Sequence, residues 1–160
     1  MKNSYALVTG ASSGIGLEIS NELAKQGFNV ILTARREDKL RNEAEKIQRK
    51  YNVAVDFISS DLSDIDAPNK IFNFCEQKNY QVDILVNNAG YGIKTSFHET
   101  PMEDEEKFIR VLGTSVIALS KAFLPKMMER NFGKIMIVSS VAAFAPPSSI
   151  QALYGPIKTL

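Results

Sequence analysis

Short apolar runs that end at glycine or a small polar residue alternate with stretches whose apolar residues recur at helical spacing, and this alternation predicts a doubly wound α/β domain. The runs are nearly continuous in hydrophobicity, as parallel strands buried on both faces require. The stretches between them are long enough for helical crossovers, which are right-handed in such sheets. Together these features predict a parallel sheet covered by helices on both faces.

The first strand covers residues 5–9 and stops at Gly10. Ile15, Ile19 and Leu23 then recur at helical spacing, and Gly27 supplies a left-handed stop. Residues 30–34 form the second strand, and Leu40, Ala44, Ile47 and Tyr51 mark one face of the second helix. The third strand is placed at residues 53–59, with Ile71, Phe74 and Cys75 striping the helix after it, and the fourth at residues 84–87. Thr100-Pro101-Met102-Glu103 reads as a capping box with proline in the first helical position. The long helix that follows turns Phe108, Val111, Leu119, Ala122, Phe123 and Met127 inward, is expected to kink at Pro125, and ends at Gly133. Residues 134–139 make a fifth strand. No linker, repeat or low-complexity segment interrupts the pattern, so residues 1–160 are expected to form one domain.

With 160 residues, 44% of them apolar and 23% charged, the chain can bury a real core. Its net charge of +1, without a block of like charge, argues against a nucleic-acid partner, which needs a basic stripe. The sole cysteine, Cys75, excludes an internal disulfide, and no His/Cys cluster offers a metal site. Cys75 lies in an apolar helical pattern and reads as packing. His98, in a polar loop, suits a surface or substrate-loop role better than catalysis. The apolar stretch after Met1-Lys2 is too short for a signal peptide. No uninterrupted apolar run approaches the ~18 residues of a membrane span. A cytoplasmic protein without a membrane partner is expected.

The chemistry begins in the first turn, Thr9-Gly10-Ala11-Ser12-Ser13-Gly14-Ile15-Gly16. Where a strand turns sharply into a helix, unpaired amides and the positive helix end attract a pyrophosphate. Gly10 permits the turn, Gly14 lets backbone approach phosphate, and Gly16 lets the helix pack on the strand. Gly10, Ser12, Ser13, Gly14, Ile15 and Gly16 are therefore candidate cofactor-binding residues. The end of the second strand is where this fold reads an adenosine ribose. A carboxylate there would repel a 2′-phosphate, but this chain has Ala34, followed by Arg35, whose guanidinium fork suits a phosphate. NADP(H) is favoured over NAD(H).

Further motifs follow in order. Asp61-Leu62 lies after the third strand, Asn87-Asn88-Ala89-Gly90 closes the fourth, and Ser139-Ser140 ends the fifth. Then comes Tyr154-Gly155-Pro156-Ile157-Lys158, the one tyrosine with a lysine four residues on. With the spacing Thr-Gly-x-x-x-Gly-x-Gly, this series resembles the short-chain dehydrogenase/reductase family, in its NADP(H)-preferring type, over essentially the whole chain. The resemblance implies a Rossmann-like fold and a hydride transfer between NADP(H) and a small carbonyl or alcohol substrate. It implies cofactor contacts from Asp61, Leu62, Asn88, Ala89, Gly90, Tyr154 and Lys158, and a catalytic set of Ser140, Tyr154 and Lys158. Ser140 would hydrogen-bond the substrate oxygen, Tyr154 would deliver the proton, and Lys158 would also hold the nicotinamide ribose. Two residues have other uses open to them: Asp61 could cap the following helix, and Asn88 could bridge strands through its amide.

The Tyr154/Lys158 spacing makes physical sense on a helix, where such residues share a face. A free tyrosine loses its proton near pH 10, so acid–base work near neutrality means supplying ~4 kcal/mol. A lysine charge ~4 Å away at an effective dielectric of ~20 is worth about that much. A helix terminus adds only ~0.3–1 kcal/mol.

Two departures from the family pattern stand out. Aligning Arg110-Val111 and Leu124-Pro125-Lys126-Met127 puts Leu112 where relatives carry a catalytic asparagine, which impairs or reroutes the proton relay. Ser140 and Tyr154 also stand one residue further apart than usual, with the extra residue assigned to Pro146-Pro147-Ser148-Ser149, where insertion costs little. The leading function is thus an NADP(H)-dependent oxidoreductase. Its rivals are a non-catalytic NADP(H)-binding module and a structural partner with an empty site. The loop over residues 91–99 is expected to form part of the substrate wall. Relatives continue beyond the position of Leu160 through further strands and the main substrate loop. The sequence therefore predicts a fragment whose sheet is incomplete at the C-terminal edge, drawn from a protein that forms homo-oligomers when complete.

Overall fold

A computed structural model describes residues 4–146, 150 and 152–159. Five strands form one parallel sheet: β1 (Ser4–Thr9), β2 (Asn29–Ala34), β3 (Val55–Ser59), β4 (Gln81–Asn87) and β5 (Lys134–Ile137), in the order β3-β2-β1-β4-β5. The helices are α1 (Gly14–Lys25), α2 (Glu37–Tyr51), α3 (Ala67–Gln77), α4 (Met102–Ile109), α5 (Ser115–Glu129) and the short α6 (Tyr154–Lys158). The strand order reverses direction between β1 and β4, which opens a crevice at their C-terminal ends.

Strand periodicity divides the core between the two faces. Ala6, Val8, Val30, Leu32, Ile84 and Val86 point to the side covered by α1 and α2, where Ala24, Leu40, Ala44 and Ile47 meet them. Tyr5, Leu7, Ile31 and Leu85 point the other way, against Ile71 and Cys75 of α3 and Leu119, Phe123 and Met127 of α5. Burial pushes the Cys75 thiol up to about 12, so it is packing rather than a nucleophile. By length and composition alone Met102–Glu129 would suffice to cross a membrane. In the fold its inward side chains, Phe108 to Met127, pack on the sheet.

Several elements differ from the sequence expectation, each for a physical reason. β4 starts at Gln81 rather than Ile84, because buried Asp83 interrupts the apolar run: it accepts from Ser4 Oγ (2.6 Å), Gln81 Nε2 (3.0 Å) and Arg130 Nη2 (3.2 Å). β3 starts at Val55 and β5 ends at Ile137, although Val138 N–H still donates to Asn87 O at 2.9 Å. α1 buries Gly16, Ser20 and Ala24, small residues that let it approach the sheet, and leaves Ile15 64% exposed. The Thr100 capping box does not form: Thr100 Oγ1 donates to Ser96 O (3.0 Å), and Pro101 is the cap of α4. The long helix is interrupted by a π turn at Arg110–Thr114 and stays helical through Pro125. Its stop is supplied by Asn131 in the left-handed region (φ 51°), not by Gly133, whose missing side chain instead makes room for Met127.

The Asp83 cluster ties the C-terminal end of α5 to the start of β1 and β4. Asp83→Ala leaves Arg130 and Ser4 without their buried partner. It should cost on the order of 3 kcal/mol, read as a lower urea midpoint at unchanged slope. A loss below ~1 kcal/mol would show that the cluster is relaxed by solvent.

Candidate active site

The crevice is built around one residue pair. Thr9, the last residue of β1, accepts at Oγ1 from the backbone N–H groups of Asn88 and Ala89, both at 2.9 Å, while Asn88 Nδ2 donates to Thr9 O at 2.9 Å. Thr9 Oγ1 donates onward to Val86 O at 3.3 Å. Side chains are excluded around this clasp. A Cβ on Gly10 (φ 67°) would lie 2.9 Å from Asn88 Nδ2 and from Ala89 Cα. A Cβ on Gly16 would fall on Asn88 Nδ2 and lie 2.5 Å from Gly10 O. Asn88 thus bridges β1 and β4 through its amide, behind the wall of the crevice. Gly14 (φ 59°) has open space around it, so its requirement is conformational.

The cleft in front of this clasp has a volume of about 190 Å³. Gly10, Ser12 and Ser13 form one wall, Ala34, Arg35 and Arg36 close the end beyond β2, and Asp61 and Leu62 follow β3. Ala89, Gly90 and Tyr91 line the side after β4. The cofactor residues expected after the first three strands, together with Ala89 and Gly90, are therefore gathered in one place, with Gly14, Ile15, Gly16 and Asn88 in the turn and clasp rather than the lining, and with Tyr154 and Lys158 outside it. Ser13 makes no side-chain cap to α1, so its hydroxyl does not occupy the first-turn amides. Asp61 does not cap α3: its Oδ1 accepts from Ser63 N–H (2.9 Å) and Ser63 Oγ (2.8 Å), closing a tight turn ahead of that helix.

Sequence reasoning missed Arg36. Its Nη2 donates to Ser12 Oγ at 3.2 Å and Ser13 Oγ at 3.4 Å, across the cleft mouth. The Arg35-Arg36 pair was the available signal, but successive residues leaving a strand point to opposite faces, so a cleft position for Arg35 does not predict one for Arg36; in the fold both line the cleft. Ser59 Oγ holds the Arg35 carbonyl at 3.0 Å, anchoring that corner.

The second constellation adjoins the first. Ser140 Oγ accepts from Ala142 N–H (3.2 Å) and caps a 3-10 turn at Val141–Phe144, and among the described residues its hydroxyl proton has no acceptor. The neighbouring Ser139 spends its proton on Lys158 O at 2.6 Å. Tyr154 opens α6, and Gly155 lets that helix seat on the turn, since a Cβ there would lie 2.8 Å from Ala142 O. Lys158 Nζ donates to Val138 O (2.8 Å) and lies 5.9 Å from the Tyr154 ring centre. Burial holds this ammonium below the usual lysine range. A Cβ on Gly90 would lie 3.8 Å from both Lys158 Nζ and Leu112 Cγ, so Lys158 reaches the wall of the cleft with hydrocarbon beside it. Leu112 sits inside the π turn and is buried. The insertion assigned to residues 146–149 falls mainly on 147–149, which lie outside the described residues.

A model of the short chain dehydrogenase family matches residues 4–158. The very-long-chain 3-oxoacyl-CoA reductase of Laccaria bicolor is 36% identical over 161 residues, covering 98% of this chain and 47% of the relative. A short-chain dehydrogenase from Sphingobium yanoikuyae in complex with NADPH superposes with a TM-score of 0.90 at 29% identity, over 98% of this chain and 60% of that one. A metagenomic short-chain oxidoreductase in complex with NADP gives a TM-score of 0.91 at 32% identity, over 99% and 71%. The chain spans about half the length of the curated relatives it matches.

The glycines of the turn should differ in what they tolerate. Gly14→Ala meets open space and should cost only the ~1–2 kcal/mol of a left-handed alanine. Gly16→Ala must push Asn88 or the Gly10 carbonyl aside and should lower the melting temperature well beyond Gly14→Ala. Equal losses would mean that the Thr9–Asn88 clasp is not a close-packed unit.

Proposed function

Because this chain belongs to the short-chain dehydrogenase/reductase family, we propose that it binds NADP(H) in the cleft beyond β1 and β4 and interconverts a carbonyl compound and its alcohol. One observation carries this reading: Lys158, in the Tyr-x-x-x-Lys segment, lies against Gly90 of the cleft wall, so the proton-handling group and the nucleotide cleft share a boundary.

The residues present fit that nucleotide. Gly14 leaves the approach to the α1 terminus free of a side chain, Gly10 and Gly16 pack the turn closely on the Thr9–Asn88 clasp behind it, and the α1 terminus adds a favourable dipole. Arg35 and Arg36 stand where a 2′-phosphate would lie, and Ala34 brings no carboxylate to repel it. Among the described residues lining the cleft, Asp61 is the one carboxylate, and it lies beyond the next strand. The NADPH- and NADP-bound structural neighbours support the same choice.

When bound, the nicotinamide supplies or accepts the hydride at the carbonyl carbon. The chain's own groups manage the oxygen. Ser140 donates its hydroxyl proton in a hydrogen bond to the carbonyl oxygen, and Tyr154 transfers its own hydroxyl proton there to complete the alcohol. Lys158 places a positive charge beside the tyrosine and stabilises the phenolate left behind. Leu112 offers no hydrogen bond where relatives carry asparagine, so proton resupply to Tyr154 relies on Lys158 without a side-chain amide behind it.

Two measurements test the proposal. Fluorescence titration should show NADPH bound more tightly than NADH. Arg35→Ala and Arg36→Ala should each lower NADPH affinity roughly tenfold, as loss of a charge-assisted hydrogen bond implies, and leave NADH nearly unchanged. Equal affinities in the unaltered protein overturn the cofactor assignment. Tyr154→Phe should lower ketone reduction by ~100-fold or more with NADPH affinity kept within about twofold. Turnover that survives this change removes the tyrosine from the mechanism.

A further inference from the structure

No charged residue lies between Lys134 and Lys158, in a chain that is 23% charged overall. In the fold this stretch sets apolar side chains in solvent next to Ser140 and Tyr154. Val141 and Phe144 occupy the turn that Ser140 caps, and they are 88% and 93% exposed. The Ala142 carbonyl of the same turn packs on Gly155, which fixes the turn against the start of α6. Ile150, in the segment between that turn and Tyr154, pairs in antiparallel fashion with Ser96, which brings the loop carrying Phe97 against this segment; Ile150 and Phe97 are 44% and 55% exposed. Polar capacity there is spent locally, since Thr95 and Thr100 bond each other at 2.7 Å.

We propose that the substrate of this site is a neutral carbonyl compound with an extended apolar substituent, whose hydrocarbon lies on Val141, Phe144, Ile150 and Phe97 while its oxygen meets Ser140 and Tyr154. This inference rests on the carbonyl–alcohol reading above. A sugar or a dicarboxylate would need hydrogen-bonding or cationic partners along the rim, whereas the turn Val141–Phe144 and Ile150 carry no charge and the facing loop 91–99 brings one lysine, Lys94, offset by Glu99. Exposed apolar surface continuous with a reactive centre is what a substrate tail would cover.

The test uses the full chain, NADPH and straight-chain methyl ketones of about four to about twelve carbons. kcat/KM should rise about threefold per added methylene, mainly through KM, until the rim is covered. Val141→Ser combined with Phe144→Ser should cut the long-to-short ratio of kcat/KM at least ~10-fold. The melting temperature should stay unchanged, because both side chains are already in water. A flat or falling series with measurable turnover overturns this inference and leaves the oxidoreductase reading intact. Bound NADPH with no turnover on any ketone overturns both. A double variant that changes the oligomeric state but keeps the chain-length slope assigns the patch to a subunit contact and overturns the inference as well.

Discussion

Thr9 and Asn88 hold together the two strand ends at which the sheet changes direction, and the geometry of the cleft follows from that hold. At such a switch point the chains leaving β1 and β4 diverge to opposite faces, so nothing in the sheet ladder fixes their separation. The Thr9 hydroxyl, accepting two amides and donating to Val86, and the Asn88 amide, donating back to Thr9, supply that constraint. Each bond is worth only ~1 kcal/mol net, but an orphaned buried partner would cost ~1–3 kcal/mol, so the set is retained or lost together. Gly10 and Gly16 are then required by proximity as much as by backbone freedom.

A second constraint comes from the π turn. Ser115 N–H reaches back five residues to Arg110 O, and Ser115 Oγ takes the Val111 carbonyl at 2.8 Å, so the irregular turn keeps its polar groups paired. Such turns re-aim side chains within a helix. Here Val111 faces the nucleotide cleft, Leu112 faces Gly90, and Phe108 sits between Tyr91 and Tyr154, with ring centres 5.4 and 6.2 Å away. One buried phenylalanine thereby supports a residue of the cleft and the tyrosine proposed to move the proton.

The legible parts of the fold and site were local ones. Strand and helix order, the glycine turn, the Asn-Asn-Ala-Gly run and the Tyr-x-x-x-Lys spacing declare themselves within a few residues, and the structure gathers them at one end of the sheet. What escaped the sequence depended on distant partners. The start of β4 was hidden because Asp83 looks like a strand breaker until Arg130 and Ser4 are seen on it. Gly133 reads as a helix stop until Met127 is seen to occupy the missing side chain's space. Arg36 carries no signal of its own in the sequence, and only the folded turn brings the Ser12 and Ser13 hydroxyls to it. Asn88 offered two readings, and the bridging one is what its hydrogen bonds describe.

Charge placement links these elements to the proposed chemistry. With a net charge of +1 the molecule has little global field, so attraction for an anionic cofactor must come from where its cations stand. Arg35 and Arg36 mark one end of the cleft and Lys158 adjoins the other, with no carboxylate among the partners of Lys158 in the described residues. Its neighbours are a carbonyl, a glycine, an aromatic ring and Leu112. Burial among them lowers the basicity of the ammonium. The same low-dielectric setting makes a positive charge on Lys158 count for more at Tyr154 than it would in water. Leucine at 112 therefore acts in two opposing directions: it dries the surroundings of Lys158 and strengthens its field, and it withholds the amide that would feed protons back. In the proposed reaction, the balance of those effects would set whether stabilising the phenolate or resupplying its proton limits turnover.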